Sequence, residues 1–468
     1  MEKNIDEFLK LTQKLKDDEA KKPVADYIPS SQVYEKLNLS LENEGISDEE
    51  FLKSLEELIL ATPRTATNGF FNQLFGGRNG KAVLGDLLSV ILNNSMYTYK
   101  AAGPMIGVEK IIMRKVCDMI GWGEKADGTI APGGSMTNYM SMVMGRDYFN
   151  EKIRFEGVQQ KLTVYTSSAS HYSIPKNAAF SGIGRDNVRL ISTDKYGKLN
   201  VDELNKKITE DKEKGYNPVL VNATAGTTVM GAFDDIEAIS EVCKKHNIWL
   251  HVDGAYCGAV LFSKKYKHLI KGIEKVNSFS FNAHKMLSTP LSCSLIVVQD
   301  KKYLSKSFSN DASYLYQTDH DEFNLGKISL QCGIRNDSLK FWTLWKRVGT
   351  NGLEQIVDHQ FHLADVARNY IRDNSHNYTL YNYDDSVSIC FNYKNIPAQE
   401  ICTKLYEHSE LMVGYGTFKD DTFIRLVTIN AQNDKEDIIN FFKTLEDFVD
   451  NNEHLFEEYL ALENKKRK

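Results

Sequence analysis

Ile236-Glu237-Ala238-Ile239-Ser240-Glu241-Val242-Cys243-Lys244-Lys245-His246, followed at once by Asn247-Ile248-Trp249-Leu250-His251-Val252-Asp253-Gly254-Ala255, decides how this chain folds. The first part has the periodicity of a helix. The second is a short apolar run of the kind that forms a buried strand, and it ends on a carboxylate, Asp253. The same kind of run recurs as Leu162-Thr163-Val164-Tyr165, Val219-Leu220-Val221, Ser278-Phe279-Ser280-Phe281 and Ser294-Leu295-Ile296-Val297-Val298, with helical stretches between. Strand and helix alternating over residues 81–345 predict an α/β fold with a mostly parallel sheet and helices on both faces. Ligands of such sheets bind at the carboxyl ends of the strands. The polar clusters directly after the apolar runs are therefore the candidate functional residues.

Outward from this region, residues 1–80 predict an N-terminal helical arm, charged up to about residue 60, with apolar residues every three to four positions in Ile5-Asp6-Glu7-Phe8-Leu9-Lys10-Leu11 and Phe51-Leu52-Lys53-Ser54-Leu55-Glu56-Glu57-Leu58. Residues 346–468 predict a smaller α+β domain: a helix over 351–373, a strand at Ser388-Ile389-Cys390-Phe391, a charged C-terminal helix and a solvated tail. The 468 residues make roughly three lengths of ~150, enough for one large core and satellite regions.

A composition of 42% hydrophobic and 26% charged residues is that of a globular protein, and a net charge of -6 offers no basic footprint for nucleic acid. No window approaches the ~18 apolar residues of a membrane span, and Met1-Glu2-Lys3-Asn4-Ile5-Asp6-Glu7 shows no secretory pattern. Seven scattered cysteines without a Cys-x-x-Cys pair indicate neither a disulfide framework nor a metal site. The expectation is a cytoplasmic enzyme with reduced thiols.

Each cluster admits two readings. Asp253 either caps the next turn or pairs with a cationic ring nitrogen, since a buried carboxylate is costly unless paired. In Asn282-Ala283-His284-Lys285, Lys285 is either a loop lysine or a partly desolvated amine poised for imine formation, and His284 either a polar loop residue or a phosphate or carboxylate contact. Pro132-Gly133-Gly134-Ser135-Met136-Thr137-Asn138 leads into a helical run over 139–146. Free N–H groups at such a helix start suit an anion, although Ser and Thr also cap helices generally. His171, in Ser170-His171-Tyr172-Ser173, is either structural or a flat imidazole stacked on a cofactor ring. Asn222-Ala223-Thr224-Ala225-Gly226-Thr227-Thr228 is either an ordinary β-to-α connection or a further hydroxyl-rich edge of a site.

The joint order of these clusters is more specific than any one of them. With Phe70-Phe71-Asn72-Gln73-Leu74, Tyr97-Thr98-Tyr99 and Gln331-Cys332-Gly333, it resembles the group II decarboxylases that use pyridoxal 5′-phosphate, and within them the glutamate and cysteine sulfinate branch. The resemblance implies a fold-type I architecture like that of aspartate aminotransferase. It also implies Lys285 as the residue that holds the cofactor, Asp253 on the pyridine nitrogen, His171 stacked on the ring and Ala255 beneath it. Ser135, Met136 and Thr137, with Asn282 and His284, would contact the phosphate; Thr224 would lie near the ring oxygen. Tyr314, in Ser313-Tyr314-Leu315-Tyr316-Gln317, matches a catalytic loop residue that protonates the substrate carbon after CO2 leaves. A homodimer with the active site at the subunit interface is implied as well.

For the substrate, Arg425 in Thr422-Phe423-Ile424-Arg425-Leu426-Val427 matches the arginine that grips the α-carboxylate in the acidic branch; the other reading pairs it with an internal Asp or Glu. Gln73, Phe75 and Ser95 fall at substrate positions. Phe75 with Ser95 is the cysteine sulfinate pattern, where glutamate enzymes carry serine and asparagine. A ring at Phe75 shortens the pocket and favours cysteine sulfinate, cysteate or aspartate over glutamate. Glutamate decarboxylation to γ-aminobutyrate is the main rival, and an aromatic amino-acid decarboxylase is disfavoured by Arg425. Departures from the family are Thr67-Asn68 for His-Pro, Tyr99-Lys100 for Tyr-Glu, Gly254 for alanine, and an arginine one place late at Arg335.

Overall fold

The apolar run after His246 is a strand, Trp249–Gly254, with every residue buried. In the computed structural model, which describes residues 2–22, 24–310, 316, 321–381, 383–408 and 411–459, it lies in the middle of a seven-stranded sheet. In chain order the strands are β1 (Asp127–Ala131), β2 (Leu162–Ser167), β3 (Val188–Ile191), β4 (Asn217–Thr224), β5 (Trp249–Gly254), β6 (Ser278–Asn282) and β7 (Ser294–Val298). Their order across the sheet is β1-β7-β6-β5-β4-β2-β3. The β2–β3, β2–β4, β4–β5 and β5–β6 pairs are parallel; β7 pairs antiparallel with both β6 and β1, so it alone runs against the rest. Burial of both faces explains why β4 and β7 carry near-continuous apolar runs, Val219-Leu220-Val221 and Leu295-Ile296-Val297-Val298, whereas β3 at the sheet edge is only partly buried. Register sets Thr224 opposite Asp253, and Asp253 opposite Ser280, so the polar residues that end successive strands share one edge.

The chain divides into two compact units, the sheet belonging to the one formed by Arg78–His362 and Asn382–Val387. Within it the helix Gly134–Phe149 begins three residues after β1 and is buried against the sheet, its Met140, Val143 and Met144 packing in one core with Leu220 and Trp249. The helix expected over 351–373 is the later part of a longer one, Ser338–Asp373, interrupted at Gly349, where φ is 69°. A left-handed residue without a Cβ interrupts the ladder without ending the run of helix-forming residues.

The other unit is formed by Met1–Gly77, Leu363–Tyr381 and Ser388–Lys468. Its sheet joins β8 (Tyr378–Leu380), β9 (Ser388–Tyr393), β10 (Gly414–Phe418) and β11 (Asp421–Val427) in the antiparallel order β10-β11-β9-β8. Phe71, Ile389, Phe391, Ile424 and Leu426 share a core with Phe441 and Phe442 of the helix Lys435–Asn451. The N-terminal segment thus contributes to this core. The Phe71 N–H donates to the Met412 carbonyl at 2.8 Å, and the helices Glu2–Glu19 and Asp48–Ala61 lie upstream. Ser47 and Glu50 close a capping box on the second of these helices. The tail 463–468 lies outside the described residues.

Candidate active site

A cavity of about 210 Å³ opens where β4, β5 and β6 end and the Gly134–Phe149 helix begins. A larger hollow of about 420 Å³ around Asp147 and Arg154 collects none of the candidate residues. The smaller cavity collects eight: Ser135, His171, Thr224, Asp253, Ala255, Asn282, His284 and Lys285. Each stands where the topology requires it. Thr224, Asp253 and Asn282 are the last or next-to-last residues of their strands, and Lys285 sits half-buried in the turn after β6.

The Asp253 carboxylate is held from two sides. Oδ1 accepts from the Ala255 N–H at 3.0 Å, and Oδ2 accepts from Asn138 Nδ2 at 2.8 Å. Bonds of this kind to an ionised acceptor are among the stronger ones in proteins. The second hydrogen of the Asn138 amide goes to Ser173 Oγ at 3.1 Å, and Ser173 Oγ lies 2.8 Å from His171 Nδ1. The Ser173 N–H also points at His171 Nδ1, at 3.2 Å, so that nitrogen is an acceptor and the ring proton sits on Nε2. Burial lowers the His171 pKa below the usual histidine range; Asp253 pulls it up and Lys285 pushes it further down. His284 is similar: burial foremost, then Lys285, takes it to about 4, and its Nδ1 accepts from the Cys293 N–H at 2.9 Å. Both imidazoles are uncharged at neutral pH.

The cavity suits pyridoxal phosphate on its own chemistry. Thr224 Oγ1 and Asn282 Oδ1 are buried without a hydrogen-bond partner among the described residues, a cost that a polar ligand removes. The backbone at Gly134 comes so close to Ala255 and Asn282 that a Cβ there would stand 2.9 Å from the Ala255 methyl, leaving the helix start open to an anion. An amine, a fixed carboxylate and a flat neutral imidazole complete the set. Gly254 also finds its reason: a Cβ would lie 2.7 Å from both the Phe279 ring and the Ser280 carbonyl.

Other expected residues lie elsewhere. Met136 packs into the core beside Met140, and the Thr137 hydroxyl donates to the Gly134 carbonyl at 2.9 Å; neither lines the cavity. Ser95 Oγ lies 3.4 Å from the Cys332 carbonyl and accepts from the N–H groups of Tyr97 and Ile334. Gln73, Phe75 and Arg425 belong to the other unit. Arg425 Nη2 on β11 donates to the Asn72 carbonyl at 2.9 Å, and the Phe75 ring tilts against Phe70 at 5.8 Å. In the Thr67-Asn68 departure, Asn68 donates to Asp437 at 2.8 Å and the Thr67 hydroxyl donates to the Arg64 carbonyl at 2.8 Å. Tyr314 lies outside the described residues. Sequence reading missed Asn138 as the partner of Asp253, although it follows Gly134 by four residues and so shares its helix face. It also missed Tyr172 and Tyr256, which line the cavity.

Comparisons with known proteins agree with this geometry. The family described as "Pyridoxal-dependent decarboxylase conserved domain" matches residues 31–394. "Acidic amino acid decarboxylase GADL1" from Mus musculus is 34% identical over 464 residues, which is 93% of this chain and 84% of the relative. Human "Cysteine sulfinic acid decarboxylase" is 36% identical over 374 residues, 79% of this chain and 76% of the relative. A crystal structure of mouse CSAD superposes with a TM-score of 0.88 at 31% identity, covering 95% of this chain and 99% of that one. A structure of Oryza sativa TDC with PLP and tryptamine, 21% identical, covers 98% of this chain and 97% of that one with a TM-score of 0.87, a likeness of fold. With residues 31–394 matched and relatives of 34% and 36% identity over most of their length, the chain belongs to the pyridoxal-dependent decarboxylase family.

Proposed function

We propose that this enzyme removes the α-carboxylate of short acidic amino acids, namely cysteine sulfinate, cysteate or aspartate. When bound, pyridoxal phosphate supplies the electron sink for the pair left behind by CO2. Around it, Lys285 provides the anchoring amine, and the Gly134–Phe149 helix start with Ser135, Asn282 and His284 receives the phosphate. Met136 and Thr137 of that first turn, which do not line the cavity, would support this contact only through their backbone. Asp253, fixed by Asn138 and the Ala255 N–H, keeps a proton on the ring nitrogen. His171 offers the ring an uncharged imidazole face, Ala255 a small apolar floor, and Thr224 an unspent hydroxyl. Tyr314 is proposed to return a proton to the substrate carbon.

The observation that carries the substrate reading is the bond from Arg425 to the Asn72 carbonyl. It joins the proposed carboxylate-binding cation to the segment bearing Gln73 and Phe75, so charge recognition and size selection rest on one hydrogen-bonded piece, and Ser95 is a further proposed selectivity position. The printed activities of the relatives, on acidic amino acids and on cysteine sulfinic acid, support the same class. A panel of aspartate, cysteine sulfinate, cysteate, glutamate and aromatic amino acids, with CO2 measured, tests it. The short acidic substrates should react fastest. Glutamate in first place would make the enzyme a γ-aminobutyrate producer and overturn the role given to Phe75.

Two further readings belong to this proposal. The helix Gly80–Leu92 exposes Leu84, Leu87, Leu88, Val90, Ile91 and Leu92, between 40% for Leu87 and 62% for Ile91. An apolar face of that extent marks an interface, and a second copy of the chain is the proposed occupant, with the active site at the subunit boundary. All seven cysteines are free thiols, six of them buried, which suits the proposed cytoplasmic location.

A further inference from the structure

Behind the cavity runs a line of hydrogen bonds that ends on Asp253. Trp249 Nε1 lies 3.0 Å from Ser141 Oγ and 3.1 Å from Ser278 Oγ, and the two hydroxyls are 2.9 Å apart. Ser278 Oγ is 2.9 Å from His251 Nδ1, and His251 Nε2 is 3.0 Å from Asn138 Oδ1. Asn138 Nδ2 then donates to Asp253 Oδ2 at 2.8 Å. His251 is 1% exposed and lines no part of the cavity.

The direction of every bond is fixed by its ends. An indole N–H can only donate and a carboxylate can only accept. Both hydrogens of the Asn138 amide are used, one on Asp253 and one on Ser173 Oγ, so Oδ1 must accept from His251 Nε2. Burial holds the His251 pKa near 4, so the ring is neutral and its Nδ1 accepts from the Ser278 hydroxyl. Donors therefore point one way, from Trp249 to Asp253, and bonds in such a chain polarise one another. The same amide reaches His171 through Ser173, so one side chain, Asn138, sets both the carboxylate and the imidazole that face a cofactor ring.

We propose that His251 is a positioning residue: by donating from Nε2 it locks the Asn138 amide, which holds Asp253 against the protonated ring nitrogen of the cofactor and His171 in its Nε2–H form. The inference rests on the reading that Asp253 is the partner of that nitrogen. The test uses His251→Phe, His251→Gln and Asp253→Asn, with two readouts on the full chain. One is the affinity of the cofactor-free enzyme for pyridoxal phosphate by fluorescence titration. The other is the 15N chemical shift of ring-labelled pyridoxal phosphate in the reconstituted enzyme.

His251→Phe leaves Asn138 Oδ1 buried without a donor and should weaken cofactor binding about ten-fold, moving the ring nitrogen signal toward its unprotonated position. His251→Gln restores an N–H donor and should bring both readouts back to within about three-fold of the starting protein; a glutamine variant no better than phenylalanine would reduce His251 to a packing role. Asp253→Asn should exceed either. If Asp253→Asn moves the signal and His251→Phe leaves it unchanged, the positioning role is wrong and the Asp253 reading stands. If Asp253→Asn moves neither readout, both fall. Should His251→Phe fail to fold, Ser278→Ala removes the donor to Nδ1; a smaller shift in the same direction supports the proposal, and an unmoved signal overturns it.

Discussion

The cavity at the strand ends and the 70–77 segment are built on opposite plans. In the cavity, side chains hold side chains: Asn138 grips Asp253, Ser173 grips His171, and the bonds among them span as many as 115 positions in sequence. In the 70–77 segment, the backbone is what is held. The Phe71 N–H bonds to Met412, Arg425 and Asn430 bond to the carbonyls of Asn72 and Phe70, and the Ala431 N–H bonds to Gly76. Side chains in such a segment can change without moving it, whereas a change in the cavity disturbs its neighbours. On the proposed roles, the chemistry is fixed in the first region, while selectivity is left adjustable in the second.

Substitutions in the two regions should differ accordingly. The largest effect falls in the cavity: Lys285→Ala should lower kcat/KM for CO2 release by at least about a thousand-fold, because it removes the proposed anchoring amine. Activity within a factor of about ten would move the anchor elsewhere. Phe75→Ser should cost the folded chain only the packing of a half-buried ring on Phe70, about 1 kcal/mol, and improve glutamate relative to cysteine sulfinate by about ten-fold, the usual scale of size discrimination. An unchanged ratio would remove Phe75 from selectivity.

The same contrast explains what could be read from the residues alone. The strands were legible because burial on both faces leaves an unmistakable apolar run, and Thr224, Asp253 and Lys285 were legible because chemistry gathers where such runs end. Arg425 stood out as a charge inside a strand pattern, and β11 is that strand. Asn138 and His251 were not legible as partners, since they are 113 residues apart and no local periodicity links them. For Met136 and Thr137 the side-chain placement was not legible: their place in the first turn of a helix directs one to the core and spends the other on Gly134. The expected helix began only at residue 351, after Gly349, so the helical stretch before that glycine escaped.

The smallest effect is one of pH. His251 and His284 titrate near 4 in the folded chain, driven down by burial, against an ordinary 6.5. Between those values the unfolded chain binds protons that the folded chain does not, so stability is full above 6.5 and falls as pH drops toward 4. Thermal denaturation of the cofactor-free enzyme should show Tm lower by roughly a few degrees at pH 5 than at pH 7.5. His251→Gln should shallow that slope and Phe75→Ser should not; equal slopes in all three proteins would contradict the assignment to the cavity side.

Whether Lys285 is the anchor can be asked directly. Borohydride reduces the carbon–nitrogen double bond between an anchoring amine and pyridoxal phosphate to a stable single bond, so the cofactor stays attached through digestion. Mass spectrometry of the reduced enzyme should then find the added cofactor on the peptide containing Asn282-Ala283-His284-Lys285, at Lys285, and find none there in Lys285→Ala. Label on another lysine, or retained by the variant, would contradict the site placed at the end of β6.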